Sequence, residues 1–189
     1  MGWSTGWVAG NLVTAAEFGK GVGCIYDTTL VGTPASIDIP GIVATYAHLL
    51  IMHSLRGDIA GTGANLWLRF NGAASDMYWQ LAGVVNTTFT AAVAAGAAQG
   101  MAGDIPGAGN SAGFFGAGQI LIPNYGAAAD HSYVASAASG DGTAANTVLR
   151  QYGGVWAPAV KAAITEITLL PQSGNFVAGS RVTVYGMGA

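Results

Sequence analysis

Charge is what this sequence has least of. Only 8% of its 189 residues are Asp, Glu, Lys or Arg, against about a quarter in ordinary globular proteins. A free monomer stays dispersed through interspersed surface charge, so we expect much of this surface to be covered by further copies of the chain or by a larger assembly. The six basic residues are scattered and nine acidic ones leave a net charge of −3. Recognition of nucleic acid needs a basic patch, so nucleic acid is excluded as a partner. Cysteine is nearly absent too: the single Cys24 excludes an internal disulfide and has no metal-site spacing, and we read it as a small buried apolar residue. Long apolar runs are missing. The longest, Ile42 to Met52, is interrupted by Thr45 and His48 and falls short of the roughly 20 residues that span a bilayer, so no membrane insertion is expected. The start, Met1-Gly2-Trp3-Ser4, carries no basic residue, so no secretory signal is expected and the product should be soluble and made in the cytoplasm.

What the chain does have is hydrophobic residues (51%) and 30 glycines, arranged with a period of two. Ile164, Ile167 and Leu169 alternate with polar or small residues, as do Val182 and Val184 against Arg181, Thr183 and Tyr185. Such alternation marks half-buried strands, and Pro171-Gln172-Ser173-Gly174 between them supplies turn residues. We expect a C-terminal hairpin on which the fold closes, with Arg181 near Glu166 across it. Further strands are expected over 24–31, 36–39, 46–55, 65–71, 77–85, 119–123, 130–137 and 146–152. Asn71-Gly72 is a turn signal, and turns recur about every eight to twelve residues, the spacing of a sandwich or jelly roll. Residues 90–100 are Ala-rich but broken by glycine, which costs about 1 kcal/mol in a helix, so they should form a loop or an edge strand. Residues 103–118 should be a long surface loop. The fold class is therefore an all-β, jelly-roll-like antiparallel sandwich.

The first 22 residues differ in texture. Thr14-Ala15-Ala16-Glu17 fits a capping box, with Val13 placed to staple one helical turn. Trp3, Trp7 and Phe18 surround it, and Gly19, Gly21 and Gly23 end it. We expect residues 1–22 to be a docking arm containing one helical turn, and residues 23–189 to be the sandwich domain. Apolar residues on such an arm need a covering surface, so Trp3, Trp7, Val13, Thr14, Glu17 and Phe18 are the docking candidates.

Sites for chemistry leave little. His48 and His53 are five apart and point to opposite faces of a strand, and His131 is remote in sequence, so no metal site is expected. A glycosidase needs two carboxylates flanking its substrate, whereas Asp58, Asp76, Asp104, Asp130 and Asp141 all sit beside Gly, Ser or Ala in turn-like surroundings. Arg56-Gly57-Asp58 reads as a strand end followed by a turn. Arg69 beside Asn71 reads as a structural pair. We expect no catalytic residues, no metal and no cofactor.

The segment Trp7-Val8-Ala9-Gly10-Asn11-Leu12-Val13-Thr14-Ala15-Ala16-Glu17-Phe18 resembles the short N-terminal sequence of many tailed-bacteriophage virion proteins, although Gly19 stands where an Asn usually closes that pattern. The body is similar to phage structural proteins in an ordered set of short pieces: Tyr46-Ala47-His48-Leu49, Ser54-Leu55-Arg56, Leu68-Arg69-Phe70-Asn71-Gly72, Tyr78, Ala163-Ile164-Thr165 and Gly179-Ser180-Arg181-Val182-Thr183-Val184-Tyr185-Gly186. The resemblance implies a non-enzymatic virion component of tail-fibre, minor-tail or head-decoration type. The expected protein is a homo-oligomer, a trimer by preference, docked by its arm onto other virion proteins. A second expectation is a glycan-binding module in which exposed Trp79, Tyr125, Tyr133 or Trp156 stacks on host surface sugars. A third is an enzyme that degrades bacterial polysaccharide.

Overall fold

A computed structural model describes residues 21–140 and 147–188. The expected arm falls almost wholly outside them, as does Asp141. Twelve strands make up the described chain: β1 (Val22–Thr29), β2 (Ile37–Ile39), β3 (His48–Leu55), β4 (Gly63–Phe70), β5 (Met77–Val85), β6 (Thr88–Ala97), β7 (Gly100–Pro106), β8 (Gly116–Pro123), β9 (His131–Ser139), β10 (Val148–Trp156), β11 (Ile167–Pro171) and β12 (Arg181–Met187). Eight of them form one sheet in the order β1-β12-β3-β8-β9-β10-β5-β6, and four form a second, β2-β11-β4-β7. Every pairing is antiparallel. The chain passes repeatedly from one sheet to the other, giving a jelly-roll-like sandwich.

The core follows from alternation. Leu49, Ile51 and Leu55 of β3 face Leu66, Leu68 and Phe70 of β4 across the layer, joined by Ile120, Ile122, Ile167, Leu169, Val182 and Val184. Each is almost wholly removed from water, a contribution of roughly 1.5–3 kcal/mol per side chain. The polar partners on the same strands stay outside because the side-chain period is two. Asn71 and Gly72 turn the chain after β4 with φ of 51° and 67°. The Asn71 side chain then ties that turn to the incoming β11: its Oδ1 accepts from the Thr165 and Glu166 amides at 2.8 and 3.1 Å, and its Nδ2 donates to the Ala163 carbonyl at 2.8 Å.

Several expectations need correction. The C-terminal hairpin does not exist, because β11 pairs with β2 and β4 while β12 pairs with β1 and β3 in the other sheet. The connection between them crosses the edge of the sandwich, carrying Phe176 into the core. It is held there by bonds from the Phe176 amide to the Pro34 carbonyl and from the Val177 amide to the Arg56 carbonyl. Arg181 accordingly pairs with Asp27 of β1 at 2.9 Å and not with Glu166. Residues 103–118 are not one surface loop: β7 is buried along its whole length and β8 begins at Gly116. Only the stretch between them is a loop. Arg56 organises it from inside, its guanidinium donating to the carbonyls of Asn110, Ser111 and Phe114. Residues 90–100 supply most of the edge strand β6. Cys24 is exposed, because a β-bulge between Cys24 and Tyr26 interrupts the alternation of β1.

Candidate functional surface

The outer face of the eight-stranded sheet is the surface that sets this molecule apart. Its residues can be read in rows across the strands. One row runs Tyr185, Leu50, Leu121, Val134, Gly153, Gln80, Val93, and the next runs Thr183, Met52, Gln119, Ser136, Gln151, Ala82, Ala91. A third runs Arg181, Ser54, Ala117, Ala138, Leu149, Val84, Phe89. From β3 through β6 these rows contain no Asp, Glu, Lys or Arg. Met52, Leu121, Val134, Leu149, Val84 and Val93 are exposed apolar members of them. An antiparallel sheet with one solvated face ordinarily alternates apolar-in with polar-out; here the outward positions are apolar, small or uncharged.

Charge on this face is confined to its β1–β12 end, where it is neutralised. Arg181 donates to both Asp27 carboxylate oxygens, from Nε at 3.1 Å and from Nη2 at 2.9 Å, and the Thr183 hydroxyl adds a third bond at 2.8 Å. The hydrogen bonds from Arg181 and Thr183 hold the Asp27 carboxyl below its usual acidity range.

A second polar feature lies inside. Asp104 of β7 accepts a hydrogen bond from the Tyr152 hydroxyl and a bifurcated contact from Arg150 Nη1, which reaches its two oxygens at 2.9 and 3.2 Å. Arg150 Nε in turn donates to the Thr90 hydroxyl at 3.3 Å. Asp104 was expected in a turn and is instead a buried strand residue. Its carboxylate joins the four-stranded sheet to β10 of the other, where the β5–β6 wing curls past the β7 edge. Trp67 of β4 and Trp79 of β5 meet at the same place, with ring centroids 5.9 Å apart. Burial and the neighbouring Asp104 charge both push the Tyr152 hydroxyl pKa upward. Within the group donors and acceptors satisfy one another, and the bonds tie β7 to β10 and β6.

The other carboxylates singled out in the sequence are scattered. Asp58 accepts from the Asn175 amide at 2.7 Å and side chain at 3.2 Å, Asp76 is bonded by Ser75, and Asp130 pairs with Lys161. His48 and His53 do lie on opposite faces of β3, and His131 stacks on Trp156 with its Nε2 2.8 Å from the Ala162 carbonyl. No group of three metal-ligating side chains occurs among the described residues. No helix there is long and apolar enough to cross a membrane. The expected pair of Arg69 with Asn71 is not formed: the Asn71 side chain bonds Ala163, Thr165 and Glu166 instead, and Arg69 Nε is buried without a partner among the described residues.

The aromatics expected to meet sugars are mostly core residues. Tyr125, Tyr133 and Trp156 are buried: the Tyr125 hydroxyl donates to the Val43 carbonyl at 2.6 Å and that of Tyr133 to the Met101 carbonyl at 3.0 Å. They sit at inward positions of the alternation or cap the open end of the sandwich, and their rings fill the space between sheets. Trp79 is half-buried against Trp67. Among the described residues the exposed aromatics are Tyr78 and Phe89 on the β5–β6 wing, neither of which was a sugar-contact candidate in the sequence, although Tyr78 lies at an outward position of the alternating segment Met77 to Val85. Trp3, Trp7, Val13, Thr14, Glu17 and Phe18 lie outside the described residues.

These features define the class as an all-β antiparallel sandwich presenting an uncharged sheet face. The chain matches no protein-family model, no curated protein and no solved structure.

Proposed function

We propose that this chain is a non-enzymatic structural protein that works by packing against copies of itself through the outer face of its eight-stranded sheet. Following the resemblance of its sequence, we assign it to the virion of a tailed bacteriophage as a fibre, minor-tail or decoration component. The observation that carries the reading is the charge-free stretch from β3 to β6, with Leu121, Val134 and Leu149 exposed along it. Contiguous exposed apolar surface of this kind marks an interaction site. A trimer is the expected assembly and residues 1–22 the expected attachment to the particle.

Sedimentation velocity of the full chain tests the packing surface. The wild type should sediment as an oligomer. The double substitution Val134→Lys and Leu149→Lys, both at exposed positions, should remove the face-mediated contact while leaving the circular dichroism spectrum unchanged. A double variant that sediments like the wild type would overturn the surface. Antibody-gold labelling of intact phage particles from cultures that produce the chain tests the location: label over the head means decoration, label along the tail means a fibre or baseplate role, and bare particles sink the virion assignment.

A second reading, a glycan-binding module, is favoured by one observation. The outer face carries a trough of about 600 Å³ lined by Tyr78, Gln80, Val93, Val134 and Gln151 over the bare floor of Gly153. An exposed phenol beside two side-chain amides, without charge, suits a neutral sugar. Binding on a glycan array that is lost in Tyr78→Ala would favour it over pure assembly.

A further inference from the structure

Four sheet edges end this sandwich, and three of them are guarded. β2 is only three residues long. β7 is buried along its length beneath the curled wing. β1 is kinked by its bulge and flanked by the Asp27–Arg181 ion pair. Shortness, cover, bulges and charges are the devices that keep strand edges from pairing with other chains. The fourth edge, β6, has none of them over its first six residues. It spans ten residues without Pro or charge, and no charged residue lies between Asp76 and Asp104. Its bulge comes only near Ala97, beyond the regular pairs that run from Thr88 to Ala94. Both of its faces are largely exposed, with Phe89 at 68% and Val93 at 70%.

The register decides which of its main-chain groups are free. β5 and β6 are joined through Asn86-Thr87, with Val85 opposite Thr88 and Asn86 at φ 58°, the geometry of a two-residue hairpin turn. The pair closing such a turn exchanges hydrogen bonds, and bonded and non-bonded pairs then alternate along the ladder. Thr88, Thr90 and Ala92 therefore bond to β5, while Phe89, Ala91 and Val93 point their N–H and C=O groups away from the sheet, with no partner among the described residues.

We propose that this edge pairs with the same edge of a second copy, antiparallel, about a two-fold axis passing through Ala91. That register sets Ala91 opposite Ala91 and Phe89 opposite Val93, so all three free donor–acceptor residues become bonded pairs, with about six inter-chain hydrogen bonds. On the outer face it forms two aromatic–β-branched cross-strand pairs, a favoured combination. The occupant is a second copy because the strand is complementary to itself in this register, and because neither copy brings a charge that would repel the other. An isologous two-fold contact of this kind closes on itself. The pairing joins two eight-stranded sheets edge to edge and continues the uncharged face across the axis. It rests on the self-association reading for its partner but uses a different surface.

The test uses the full chain in the Val134→Lys, Leu149→Lys background, which blocks the face, and sedimentation velocity as readout. That background protein should still form a dimer. Ala91→Lys and Ala91→Asp should each be monomeric, since the axis places two like charges opposite one another, and mixing the two should restore a one-to-one dimer. Ala91→Pro should also be monomeric with an unchanged fold, because the N–H it removes bonds nothing among the described residues and proline is tolerated on strand edges. A background protein that is already monomeric would overturn the edge pairing while leaving the face reading intact. So would a dimer indifferent to all three residue-91 variants, or charge variants that remain monomeric when mixed.

Discussion

His53 should make this protein lose stability in mild acid. The side chain points from β3 into the sandwich at 5% exposure, and neither ring nitrogen has a hydrogen-bond partner. The ring packs over Gly118 of β8, where a β-carbon would collide with it. Charging an imidazole in that setting is opposed by desolvation, which lowers its pKa from 6.5 to about 4. The depressed value means that the unfolded chain binds the proton first. Stability is thus highest above pH 6.5 and falls as the pH drops from there to about 4, the interval in which only the unfolded state is protonated. At about 1.4 kcal/mol per unit, the loss between pH 7 and pH 4.5 is roughly 2.5 kcal/mol. Urea denaturation of wild type and His53→Leu at the two values measures it. The substitution removes this titration and leaves every other carboxylate and histidine in place, so the difference in pH slope between the two proteins isolates His53. Equal slopes would refute the reasoning, whatever the absolute stability of the variant.

Two further outcomes follow from the polar contacts. Asp104→Ala strands the Arg150 guanidinium and the Tyr152 hydroxyl and should cost about 3 kcal/mol in urea denaturation; Asp104→Leu combined with Arg150→Met should cost less, because no unpaired charge is left behind. Asn71→Gly keeps the positive φ of the turn but removes four side-chain hydrogen bonds and should lower stability by roughly 2 kcal/mol, with Asn71→Ala lower still by about 1 kcal/mol of backbone strain on the same measurement.

Strand positions were legible in the sequence because they are recorded locally. The alternation through Ser36-Ile37-Asp38-Ile39, Leu66-Trp67-Leu68-Arg69-Phe70 and Met77 to Val85 puts every second side chain on one face, and those segments are strands in the fold. The Asn71-Gly72 turn and the opposite orientation of His48 and His53 came from the same short-range rules. The scarcity of charge was likewise visible in composition. Its concentration into one uncharged face was not, since that requires knowing that β3, β8, β9, β10 and β5 are neighbours.

What tertiary structure alone decided is which strands pair and which of two faces becomes the core. A period of two says that a strand has two sides without saying which is buried, so Tyr133 and Trp156 could be read as exposed when they fill the space between the sheets. Strands adjacent in sequence pair only when the turn between them allows it, and the nine-residue span 172–180 instead carries the chain from β11 in one sheet to β12 in the other. Asp104 is the same lesson in polar form: its Gly neighbour suggested a turn, but the carboxylate is held in β7 by Arg150 and Tyr152, residues 46 and 48 positions away. Local sequence determined where this chain extends and turns. Long-range packing determined what each strand lies against, because the free energy of burial depends on neighbours that no short window contains.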